Sequence, residues 1–113
     1  MNHDERVCGL RASLVHGLDT GRAQALLQIL EDELLVPAGL YLDGGLRHAE
    51  AASAYSPEIS GLVTRADGRD LAERDRGRVE AWLAMQPLVT EFSVGPCVPA
   101  GSAEAAAWRG EGA

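Results

Sequence analysis

The chain has 113 residues, 46% of them hydrophobic and 24% charged, with a formal net charge of -7. That length makes one domain with a single core, and the composition is that of a globular protein, not a disordered one. The acidic balance excludes a nonspecific nucleic-acid binder, which needs a surplus of cations on one face, and leaves a basic partner protein open.

Aromatic residues make up only 4%, so aliphatic side chains must build the core. All ten basic residues are arginine, which removes side-chain Schiff-base chemistry. The two cysteines, Cys8 and Cys97, are too few for a disulfide-stapled scaffold. The start, Met1-Asn2-His3-Asp4-Glu5, is acidic where a signal peptide is basic and apolar. No apolar run approaches a membrane span. These features predict a soluble, cytoplasmic protein with free thiols and no cofactor.

In chain order, Val7, Leu10 and Leu14 sit at helical spacing and predict a first helix over 4–16, stopped by Gly17. Asp19 or Thr20 can cap a second, in which Ala23, Leu26, Leu27, Leu30 and Leu34 repeat at threes and fours. Ile29 and Leu35 widen that stripe, and Pro37 ends it. The short link predicts an antiparallel helix pair. Over 38–54 the pattern is weak. Residues 40–42 suit a short strand, Asp43-Gly44-Gly45 a turn, and 47–53 a turn or two of helix.

Ser56-Pro57-Glu58 reads as a helix start, followed by Ile59, Leu62 and Val63 on one side. The clearest amphipathic segment is 70–86, where Val79, Trp82, Leu83 and Met85 form the apolar side and acids precede bases along the solvated one. Leu88, Thr90, Phe92 and Val94 then alternate as a strand would, and the expected partner is the 40–42 segment. From Gly95 onward small residues dominate, with a short helix over 102–109. The fold class expected is mainly α: a small bundle of four main helices in one domain over 1–95. A short two-stranded β ribbon and a loose Gly/Ala/Pro-rich tail over 96–113 complete it.

Candidate chemistry is sparse. His48-Ala49-Glu50 and Pro96-Cys97 match parts of the H-x-E and P-C-x-x-C elements of zinc-dependent nucleobase deaminases. Ala100 stands where the second thiolate must be, and catalytic zinc needs three protein ligands, so the match is read as coincidence. Asp43, His48, Glu50 and Cys97 remain the candidate set for a divalent metal, with His3 or His16 joining from a distance. No histidine pair has i, i+4 spacing. Cys8 and His16 are too far apart along one helix for proton transfer, and no serine lies in a nucleophile elbow.

Trp82 is the candidate interface anchor, although packing beside Val79 and Leu83 is the commoner use of such a residue. Tyr41, Tyr55 and Leu35 complete the candidate binding surface. The second helix has more apolar girth than one neighbour covers. Either the rest of the chain or a second copy must therefore wrap it, which leaves a homodimer open. The function expected is that of a small acidic protein-binding or regulatory protein of adaptor, antitoxin or immunity-like type, without catalytic activity of its own. The alternative is a small metal-assisted hydrolase or an accessory subunit of an enzyme complex.

Overall fold

A computed structural model describes residues 5–51 and 54–108, with backbone alone for 48–51 and 54–56. The first element is a strand, β1 (Arg6–Leu14). Cys8, Leu10, Ala12 and Leu14 are buried on one side of it, while Arg11 between them is exposed. That is the two-residue period of a strand, and it replaces the helix expected over 4–16.

Helix α1 (Thr20–Ile29) follows, capped by Asp19, whose carboxylate accepts the Arg22 N–H at 2.8 Å. The helix continues as a π-helical segment, Leu30–Leu35. Two 12-residue strands come next, β2 (Leu40–Ala51) and β3 (Ala54–Arg65), paired from Leu40 opposite Arg65 to Ala51 opposite Ala54. They overturn the turn expected at Asp43-Gly44-Gly45, the helical turns over 47–53 and the helix after Ser56. Helix α2 (Glu73–Ala84) is the expected amphipathic helix in shortened form. Its Asp75 carboxylate reaches back to the Ala72 N–H at 3.2 Å, while Asp70 binds the Arg6 N–H of β1 instead of capping.

Strand β4 (Val89–Val94) is where the alternation places it, but it pairs with β1 and not with the 40–42 segment. Beyond Gly95 the chain turns back onto the sheet. Strand β5 (Val98–Pro99) pairs with Arg6 and Val7, and helix α3 (Ala103–Trp108) closes the described residues.

The sheet order is β2-β3-β1-β4, with all neighbours antiparallel. The β1-α1-β2 crossover leaves a gap that β3 fills, and the β3-α2-β4 crossover leaves one that β1 fills. This interlocked split β-α-β arrangement is the ferredoxin-like topology. The molecule is therefore an α+β sandwich, not a four-helix bundle.

The core lies between the sheet and the two longer helices: Cys8, Leu10, Ile59 and Val63 from strands meet Leu26, Leu30, Val79 and Leu83 from helices. A smaller cluster on the opposite face joins Val7 and Leu62 to Ala105 and Trp108. Among the described residues no helix is long and apolar enough to cross a membrane.

Candidate functional site

Helices α1 and α2 cover one face of the sheet, and α3 covers only one end of the other. The strand registers place Tyr41, Asp43, Gly45 and Arg47 of β2 on the same face as Glu58, Ser60, Leu62 and Thr64 of β3. Val7, Gly9, Arg11 and Ser13 of β1 continue that row, followed by Glu91 and Ser93 of β4. Trp108 lies so close over Gly9 that a Cβ there would stand 1.8 Å from its ring. The Arg11 guanidinium sits 5.6 Å from the Trp108 ring centroid, and its Nε is 3.5 Å from Glu58. What α3 leaves uncovered is a polar face of mixed sign.

Part of this face is concave beside β2. A groove of about 360 Å³ is lined by residues 43–47 with Ser60 and Gly61. Ser60 is 3% exposed, and its hydroxyl finds no hydrogen-bond partner among the described residues. A buried hydroxyl left unpaired costs about 1–3 kcal/mol, so this floor is poised to gain from a donor or acceptor arriving from outside. A serine nucleophile needs a base within hydrogen-bond reach, and the described residues give Ser60 none. A second depression, about 230 Å³, continues along the same strand beneath Val36, Tyr41 and Leu42. Val36 is 68% exposed and Tyr41 48%, so apolar surface flanks the polar groove.

The residues singled out from sequence divide clearly. Tyr41 and Asp43 are exposed on β2, beside these depressions. Leu35 is buried at 1% exposure in the core and also lines the second depression, beside Tyr41. Trp82 is half-buried, packed against the same core from α2. The backbones of His48, Glu50 and Tyr55 lie in the distal part of the β2–β3 hairpin, opposite Pro57, Tyr55 and Glu50, and their side chains lie outside the described residues. Cys97 lies past β4 at the other side of the sheet, where Arg6 donates to its carbonyl at 3.2 Å. The fold thus separates Asp43 from Cys97 by the width of β3 and β1. Among the described residues no three histidine, cysteine or acidic side chains gather as a metal site. Sequence reasoning missed Arg11, Arg47, Ser60 and the edge of β2. The period-2 signal in 40–47 is interrupted by Gly44-Gly45, which hid the strand that carries Arg47.

Both cysteines are free thiols. Burial, then the neighbouring Cys97, pushes the Cys8 thiol up to about 12. Burial and the Glu73 carboxylate raise that of Cys97 as well. Neither is an activated nucleophile. The folded state holds the Cys8 proton between its ordinary value of 9.0 and about 12. This group therefore leaves stability unchanged below pH 9. Above it, stability falls by about 1.4 kcal/mol per pH unit until the folded value is reached. Urea midpoints at pH 8 and pH 10 should show that loss in the wild type and a smaller one in Cys8→Ala.

No protein-family model, curated protein or solved structure matches the chain.

Proposed function

We propose that this protein works by binding a polypeptide strand along the outer edge of β2, as a regulatory or adaptor module without catalytic activity of its own. The observation that carries this reading is the edge itself. β2 is 12 residues long, and among the described residues it is the last strand of the sheet and pairs with β3 alone. Edge strands present rows of backbone donors and acceptors, and proteins that avoid association blunt them with proline, bulges or charged side chains. β2 has no proline and runs in unbroken register with β3, and its charged residues, Asp43, Arg47 and Glu50, are of both signs, so an incoming strand of matching charge can pair with it. Strand addition takes its affinity from main-chain hydrogen bonds and its selectivity from flanking pockets, here the two depressions beside Asp43 to Arg47 and beside Val36 and Tyr41.

The test uses the double variant Val36→Lys/Tyr41→Lys, which places one charge on the edge strand and a second in the exposed segment before it. Surface changes of this kind leave stability within about 0.5 kcal/mol. A partner identified by affinity capture from the native host and then purified should bind the wild type and lose at least about tenfold in affinity for the variant, a difference of about 1.4 kcal/mol. Equal affinity for both proteins would show that the partner docks elsewhere.

A further inference from the structure

Resting on the reading of β2 as a strand-binding edge, we infer that the strand it receives is β2 of a second copy, paired antiparallel about a twofold axis through Gly45. Register selects this axis. In an antiparallel pair centred on Gly45, Asp43 faces the partner's Arg47 and Arg47 faces the partner's Asp43, because each stands two residues from the axis. Both residues are exposed, and the β2–β3 register puts them on one face of the sheet with Gly45 between them. Symmetry makes the opposite-charge contact twice. Cross-strand pairs of opposite charge stabilise a sheet, and like charges directly opposite destabilise it.

Neighbouring registers lack this match. An axis at Asp43 or at Arg47 sets a charge against its own copy. An axis between Gly44 and Gly45 sets Asp43 against Leu46 and Leu42 against Arg47, and it also turns the helical layers of the two copies to opposite faces. Only the Gly45 axis combines charge pairing with both helical layers on one side of a continuous eight-stranded core sheet. The incoming strand runs along the free side of β2, where Tyr41 is 48% exposed. The absence of a side chain at Gly45 leaves open space on the axis, with no heavy atom within 4 Å of where its Cβ would stand.

The experiment is mass determination by light scattering and sedimentation across micromolar concentrations. It compares wild type with Asp43→Arg, Arg47→Asp and the double swap Asp43→Arg/Arg47→Asp, each checked for native circular dichroism. The expected wild-type mass is twice 12.0 kDa. Each single reversal turns two attractive pairs into two repulsive ones and should weaken the dimer by about tenfold or more, while the double swap restores it. A dimer indifferent to the single reversals uses another surface and overturns the inference. So does a wild type that stays monomeric throughout. If that monomer still binds its purified host partner and loses it in Val36→Lys/Tyr41→Lys, the edge reading survives with a different strand as occupant. If the partner is unaffected, both fail.

Discussion

Replacing Gly61 with alanine is expected to destabilise the fold by about 3–5 kcal/mol, a large share of the 5–15 kcal/mol that holds a domain of this size together. Gly61 and Gly44 face each other midway along the β2–β3 ladder, with φ of 151° and 157°. In that region glycine alone is unstrained. The two backbones also approach closely. A Cβ on Gly61 would stand 2.4 Å from the Asp43 carbonyl oxygen and 2.8 Å from the Gly44 Cα, and one on Gly44 would stand 2.2 Å from the Ser60 carbonyl oxygen. These neighbours are main chain, so no rotamer change relieves the overlap. The hairpin must open where it forms the groove. Gly77, exposed on α2 with nothing within 4 Å of its Cβ position, supplies the contrast. Gly77→Ala should stabilise the protein by about 0.5–1 kcal/mol. Urea unfolding of the two variants reads both signs. A Gly61→Ala midpoint close to wild type would mean that the strands are not in contact there.

The same glycines show why half of the fold was hidden in the sequence. A Gly-Gly step inside a strand marks close backbone approach as readily as a turn, and nothing in 38–54 alone separates the two. Strands β1 and β3 misled for a different reason. Each is covered on both faces near one end, by the main core on one side and by α3 on the other. Val7 and Leu62 are therefore apolar although they face away from α1 and α2. Val7, Leu10 and Leu14, like Ile59, Leu62 and Val63, then fall at helical spacing. The period-2 set of Cys8, Leu10, Ala12 and Leu14 was equally present in the same residues. Helix α2 was legible because it buries a single side, so only one period fits, and strand β4 because its apolar residues alternate in sequence even though only Val94 of them is buried. The site was less legible than the fold. Asp43 and Tyr41 drew notice by chemical type, but the role proposed for them follows from β2 being the last strand of the sheet among the described residues, and strand order is a long-range fact. Arg47 and Ser60 carry no local motif at all.

Arg76 ties that sheet to α2, and its loss is expected to cost about 2–4 kcal/mol. From the helix its Nε donates to the Gly95 carbonyl at 2.7 Å and one Nη donates to the Val94 carbonyl at 2.8 Å. The other Nη meets Glu80, one turn along, at 2.8 Å. The two carbonyls lie at the end of β4, just before Pro96. Val94 and Gly95 are buried, so Arg76→Ala leaves two shielded acceptors without a donor. The planar fork matters as much as the charge. It addresses both oxygens in one geometry, whereas a lysine ammonium at the end of a flexible stem holds one of them well at most. Arg76→Lys should therefore remain about 1–2 kcal/mol below wild type despite its unchanged charge. Glu80→Gln, which keeps the fork on the carbonyls and touches only a half-buried ion pair, should cost about 1 kcal/mol or less. Unfolding midpoints ordered Ala, Lys, Gln and wild type from lowest to highest are the expected result. If Lys matched wild type, charge alone would hold the helix to the strand, and the fork geometry would be incidental.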